Sequence, residues 1–138
     1  MTQKIRFIDP DKVLEANRDY LDRIESDGLF AVYDGTLDTL FLEIGGPKEA
    51  LSEHVIDNIM LRVDPVSLQI VGLEILDFLS DFLPNNRLVE GMVSNLGLQE
   101  GQDKTLELME PKYKPFKDVI EALIGMPLTT ASSPMFVD

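Results

Sequence analysis

The spacing of apolar residues changes from a helical period to a strand period near residue 28. Apolar residues recur at helical spacing from Val13 to Ile24, and Gly28 is expected to end this helix. Asp9 and Pro10 are typical of its start, as the N-cap acceptor and the first helical residue. The pattern therefore predicts an amphipathic N-terminal helix from Pro10 to near Gly28.

From Leu29 onwards the apolar residues alternate with a period of two, which is typical of β-strands. The turn from Asp34 to Asp38 joins the first two strands as an antiparallel hairpin, and a turn at Asp64 and Pro65 joins the next two. Gly72 inside the last strand indicates a bulge or a close approach by another backbone. The predicted strands are 29–33, 39–44, 55–63 and 68–75.

Helical spacing returns after the fourth strand. The pattern predicts a short helix from Leu76 to Leu83, cut by Pro84, and a helix that begins at Asn85 or Asn86 and ends at Gly97. Residues 105–109 indicate at most a short strand. A last helix is predicted from Pro115 to Gly125.

These elements predict an α+β fold, with a four-stranded antiparallel β-meander and N-terminal and C-terminal helices packed on one face. A chain of 138 residues is long enough to form one domain with its own core. We expect that domain to span residues 1–125, with a C-terminal helical extension over 85–125 and a flexible tail over 126–138. The first two strands are apolar on both faces, so we expect a second subunit to cover the face that the helices leave open.

The chain is strongly acidic, with 12 basic and 25 acidic residues and a net charge of −13. This charge repels phosphate backbones and anionic membranes, so we expect neither nucleic acid nor a membrane as a partner. The chain has no cysteine, which excludes thiol catalysis, disulfides and thiolate metal sites. It contains no apolar run of membrane-spanning length, so we expect a cytoplasmic protein, and no cofactor is predicted.

The candidate ligand-binding residues are three carboxylates, Asp34, Asp38 and Glu74. Asp34 and Asp38 lie four residues apart around a tight turn, and Glu74 lies late in the fourth strand. Such carboxylates could share a hard divalent cation. Aspartate is also a common turn residue, because its side chain accepts hydrogen bonds from the backbone ahead of it. The sequence leaves both interpretations open.

His54 is the only histidine in the chain. A zinc site would therefore need carboxylates or a partner chain, and a Ser/His/Asp arrangement has one available base. No glycine-rich phosphate loop and no His-Glu-x-x-His motif is present. The sequence therefore assigns no catalytic residue.

Two short motifs resemble a known family. The first contains Tyr33-Asp34, Asp38 and Leu40-Phe41, and the second runs from Val71 to Leu76 as Val-Gly-Leu-Glu-Ile-Leu. In this order and separation they resemble a small bacterial family catalogued as a domain of unknown function (number 2283), over residues 29–79. The resemblance implies a compact antiparallel sheet followed by a helix, and it implies no established activity. Phe41 stands where that family often has tyrosine.

Two classes of function follow from the sequence. The first is a non-catalytic interaction or regulatory module that self-associates, as a homodimer or with another protein partner. The second is a protein that binds a divalent metal or a small ligand through Asp34, Asp38 and Glu74, with or without enzymatic activity.

Overall fold

The segments that alternate with a period of two form a single antiparallel sheet of six strands. The computed structural model describes residues 12, 15–46, 48–108 and 118–123. In chain order the strands are β1 (Leu29–Asp34), β2 (Thr39–Ile44), β3 (Leu51–Ile56), β4 (Ile59–Val63), β5 (Ile70–Ile75) and β6 (Lys104–Glu107). Their order across the sheet is β3-β4-β5-β2-β1-β6.

The α+β class is confirmed, but the four-stranded meander is wrong in strand number and order. The predicted strand 55–63 is a hairpin of two strands, β3 and β4, because Asp57 adopts a left-handed conformation with φ of 48° and turns the chain. β5 then pairs with both β4 and β2, which places the β3–β4 hairpin on the far side of β5. β6 pairs with β1 at the opposite edge and lies close to the strand indicated over 105–109.

The helical segments begin and end close to the glycine and proline signals. Helix α1 (Tyr20–Asp27) ends at Gly28, which has φ of 87°. A π-helical turn and a 3-10 turn follow β5, over Phe78–Phe82 and Leu83–Asn85. Helix α2 (Arg87–Val93) continues as a 3-10 turn to Leu96, and Gly97 has φ of 70°.

One predicted helix start is found without the expected side-chain cap, and another lies outside the described residues. Asn86 stands at the N-cap position of α2, but its side chain donates to the carbonyl of Phe82 and does not cap the helix. The predicted start at Asp9 and Pro10 lies outside the described residues. Residues 118–123 of the predicted last helix are helical, whereas the rest of that helix and the tail over 126–138 lie outside the described residues.

The described helices pack on one face of the sheet. That face carries the buried side chains of β1, β2, β4 and β5, and it forms one cluster with residues from each helical segment. The helical members of this cluster include Ile24, Phe78, Phe82, Val89, Val93 and Ile120. The described helical residues from both ends of the chain therefore contribute to one core cluster.

Asn17 joins the start of α1 to the start of β5. Its side chain is buried, accepts a hydrogen bond from the Ile70 amide at 2.6 Å, and donates to the carbonyl of Leu68 at 2.9 Å. Arg23 of α1 donates to the carbonyl of Ile70 at 2.9 Å. These bonds fix the helix relative to the sheet.

Within the described residues, no helix combines the length and the apolar character needed to cross a bilayer.

Candidate functional site

Asp34 forms the first turn with its own side chain. One carboxylate oxygen accepts hydrogen bonds from the Thr36 amide at 3.0 Å and the Leu37 amide at 3.1 Å. This is the arrangement of an Asx turn, in which aspartate replaces a backbone acceptor. Asp64 does the same in the later turn, with the amides of Val66 and Ser67. The structure thus gives the Asp34 carboxylate a local role in the turn.

Asp38 holds the helical segment that follows β5. It has φ of 50°, and its carboxylate accepts hydrogen bonds from the Leu79 amide at 2.9 Å, the Ser80 amide at 3.0 Å and the Tyr33 hydroxyl at 2.7 Å. Desolvation alone would raise the pKa of Asp38, but these hydrogen bonds outweigh it and hold the pKa below its usual value. Burial, together with the hydrogen bond to Asp38, raises the pKa of Tyr33.

Glu74 lies on a different face of the sheet from the Tyr33–Asp38 contact. It pairs across the sheet with Phe41 and Met60, and its carboxylate accepts a hydrogen bond from the Ser52 hydroxyl at 3.2 Å. Tyr33, in contrast, is buried in the core. The structure therefore does not join Glu74 with Asp38. Within the described residues, no three His, Cys, Asp or Glu side chains are grouped so as to hold a metal ion.

The face opposite the core, termed here the second face, consists of two rows of residues that run across all six strands. Cross-strand partners share a face, so the register defines both rows. The first row is Glu107, Phe30, Glu43, Gly72, Arg62 and Ser52. The second row is Thr105, Val32, Phe41, Glu74, Met60 and His54.

Glu43 and Arg62 form an ion pair in the first row, although their strands are not neighbours. β5 runs between β2 and β4, and Gly72 of β5 is the register partner of both residues. Arg62 extends over Gly72 and its Nη1 donates to Oε1 of Glu43. A side chain at residue 72 would lie in this path, because a Cβ there would be 3.0 Å from Oε2 of Glu43. The sequence predicted a bulge or a close approach by another backbone at Gly72, and both are found: a Cβ there would lie 2.1 Å from the carbonyl oxygen of Leu42, and the pairing of β5 with β4 shifts register beside Gly72.

The Glu43–Arg62 pair is buried but its hydrogen bonding is incomplete. The Glu43 side chain is 3% exposed and that of Arg62 is 12% exposed. Arg62 also donates to the carbonyl of Lys48 at 2.8 Å and stacks its guanidinium 5.4 Å from the centre of the Phe41 ring. Oε2 of Glu43 and Nε of Arg62 are buried and have no hydrogen-bond partner among the described residues. Such atoms cost free energy while unpaired.

A cavity of about 200 Å³ lies on the second face at this pair. Val32, Phe41, Glu43, Lys48 and Arg62 line it. Burial lowers the pKa of Arg62 and the charge of nearby Glu74 raises it, and the guanidinium stays charged at neutral pH. The cavity thus combines an aromatic and an aliphatic surface with groups of both charges.

Sequence reasoning missed this pair, since period-two alternation gives the face of each residue but not which strands are neighbours. The sequence shows a glycine in β5, one acidic residue in β2 and one basic residue in β4, but these mark an ion pair only once the order of the strands is known. His54, the other polar candidate, lies exposed in β3 with Nε2 at 2.7 Å from the carbonyl of Asp57.

Comparison with known proteins gave no match to any family model, curated protein or solved structure. The resemblance over residues 29–79 to the domain of unknown function (number 2283) therefore stays a prediction.

Proposed function

We propose that this protein is a non-catalytic interaction module that self-associates through its second face. The observation that carries the proposal is the one-sided packing of the described helices, which leaves four large apolar side chains half-buried on the opposite side of the sheet. These side chains are Phe30, Val32, Phe41 and Met60. Phe30, Val32 and Phe41 are neighbours on β1 and β2, and Glu74 separates Phe41 from Met60. Apolar surface on an uncovered sheet face is typical of protein interaction sites.

The charges of the second face favour a second copy of the chain as the occupant. Glu43 and Arg62 neutralise each other within one copy. Lys48 in the lining of the cavity and Glu74 and Glu107 in the two rows supply charges of both signs. A two-fold axis places the same surface of two copies face to face, so that the basic group of one copy can lie opposite an acidic group of the other. The face is therefore suited to bind itself.

The long-range charge acts against this contact and makes it dependent on salt. Each copy carries a net charge of −13, so two copies repel each other at low ionic strength. Salt screens this repulsion over about 10 Å at 0.1 M and has much less effect on apolar burial. We therefore expect self-association to strengthen between low and moderate salt.

Sedimentation velocity tests the proposal with matched variants. The wild type is expected to sediment as twice the 15.5 kDa chain, and Val32→Glu is expected to sediment as a monomer at the same concentration. Val66→Glu is the control, since Val66 is 91% exposed in a turn and the charge change is identical. Met60→Glu repeats the test at a position that does not line the cavity. A wild type that is monomeric at moderate salt would contradict the proposal.

A further inference from the structure

The cavity beside the Glu43–Arg62 pair also has the features of a small-molecule site. The segment 28–84 is the most acidic part of the chain, with ten acidic residues and two basic ones. Those two basic residues are Lys48 and Arg62, and both line this one cavity. Arg62 is paired with Glu43, whereas the Lys48 side chain has no carboxylate partner in the lining of the cavity. Their convergence gives the cavity a local charge opposite to that of its surroundings.

The charges of the cavity indicate a ligand with a carboxylate group. Lys48 and Arg62 contribute two positive charges and Glu43 contributes one negative charge, which leaves the lining with a charge of +1. Nζ of Lys48 donates to the carbonyl of Ile44 at 2.9 Å, and an ammonium has three donors in all. Lys48 is also exposed, so it can meet a ligand that arrives from solvent. A single carboxylate on the ligand matches this charge.

The buried Glu43 carboxylate indicates that the ligand also carries a hydrogen-bond donor. Oε2 of Glu43 is an acceptor without a donor, and Nε of Arg62 is a donor without an acceptor. Both atoms are enclosed in this conformation, so a ligand would reach them only after the Glu43 and Arg62 side chains shift apart. It would then supply an O–H or N–H to the first atom and a carboxylate oxygen to the second. Val32 and the Phe41 ring provide apolar contact for the remainder of the ligand.

The cavity is open to solvent, and its volume suits a ligand of the size of a small metabolite. About 200 Å³ corresponds to roughly seven water molecules at their share of liquid volume. We propose that this cavity binds a small organic acid with a donor group beside its carboxylate, which is the chemistry of α-hydroxy and α-amino acids. This inference does not rest on self-association, but Val32 and Phe41 belong both to the cavity and to the proposed interface, so a second copy and a ligand would meet at the same surface.

Calorimetric titration of the full chain tests the inference with four probes of similar shape. The probes are 2-hydroxyisocaproate, leucine, 4-methylvalerate, which lacks the donor, and isoamylamine, which lacks the carboxylate. We expect saturable binding of the hydroxy acid, the amino acid or both, and binding of the two truncated probes that is about tenfold weaker or more. Binding of one full probe alone identifies which donor, hydroxyl or ammonium, the cavity accepts.

Two variants of equal charge change complete the test. Lys48→Met should weaken binding about tenfold or more, whereas Arg87→Met, at an exposed position of helix α2, should leave it unchanged. Lys48 is exposed, so its replacement should preserve the fold. Sedimentation of the same samples separates this inference from the proposed function. If the chain is monomeric and still binds the hydroxy acid, only the proposal of self-association is contradicted. The inference is overturned if no probe binds, if 4-methylvalerate binds as tightly as the full probes, or if Lys48→Met binds like the wild type.

Discussion

Arg62 and Glu43 pair across an intervening strand, over the one residue of β5 that has no side chain. Gly72 makes this contact possible, and it also brings β5 close to β2. The relationship links three strands through one ion pair and positions the cavity on the second face. Three stability predictions concern residues that this arrangement and the Asp38 contact require.

Gly72→Ala is expected to destabilise the protein by about 3 kcal/mol. The added Cβ would lie 2.1 Å from the carbonyl oxygen of Leu42, which is a backbone atom of the neighbouring strand and cannot move aside cheaply. Gly91→Ala is the matched control, because a Cβ there has nothing within 4 Å. In helix α2 alanine should stabilise by about 0.5–1 kcal/mol. Urea unfolding measures both values, and a Gly72→Ala variant as stable as wild type would contradict the close approach.

Arg62→Met is expected to cost about 3–5 kcal/mol, since it leaves the buried carboxylate of Glu43 without its cation. Combining it with Glu43→Leu should recover much of that loss, because an apolar pair needs no charge compensation. A double-mutant cycle from urea unfolding measures the coupling. If the losses in free energy of unfolding of the two single variants simply add in the double variant, the two side chains do not depend on each other.

How much of this arrangement could be read from the sequence depends on the range of the interaction. β1, β2 and the ends of α1 and α2 followed from local signals: period-two alternation, the Asp34 turn, and glycines at 28 and 97. The strand predicted over 55–63 was wrong because the turn at Asp57 contains no glycine or proline to mark it. The pairing of β5 with β2 depends on contacts thirty residues apart, for which local alternation contains no information. The Glu43–Arg62 pair depends on that pairing and could not be predicted.

Asp38→Asn is expected to cost about 1.5–3 kcal/mol at neutral pH, since the charged carboxylate accepts three hydrogen bonds and an amide cannot accept all of them. The pKa of Asp38 is lower in the folded state, so its contribution is present above the unfolded pKa and is lost as pH falls through the folded pKa. The stability difference between variant and wild type should therefore shrink below about pH 4. Urea unfolding of both proteins as a function of pH measures this stability difference. A difference that stays constant down to pH 2 would contradict the stabilising role of the charged Asp38 carboxylate.

Divalent ions are expected to leave the melting temperature unchanged beyond a NaCl control of matched ionic strength. Both oxygens of Asp38 accept hydrogen bonds from the protein, Asp34 closes its own turn, and Glu74 lies on the second face. The comparison uses EDTA, Ca²⁺, Mg²⁺, Mn²⁺ and Zn²⁺. Saturation of a real site at about 100 times its dissociation constant would add roughly 2.7 kcal/mol. A shift of that size for one metal, absent in Asp38→Asn, would establish the metal alternative instead.

Intermolecular NOEs in a mixed sample of labelled and unlabelled chains test the proposed interface most directly. At moderate salt we predict contacts from the partner copy to the methyl groups of Val32 and Met60 and to the Phe41 ring, which all lie in one row of the second face. The exposed Leu88 of α2 should show none. A dimer whose intermolecular contacts involve Leu88 and omit Val32 and Met60, or a chain that stays monomeric, would contradict self-association through the second face.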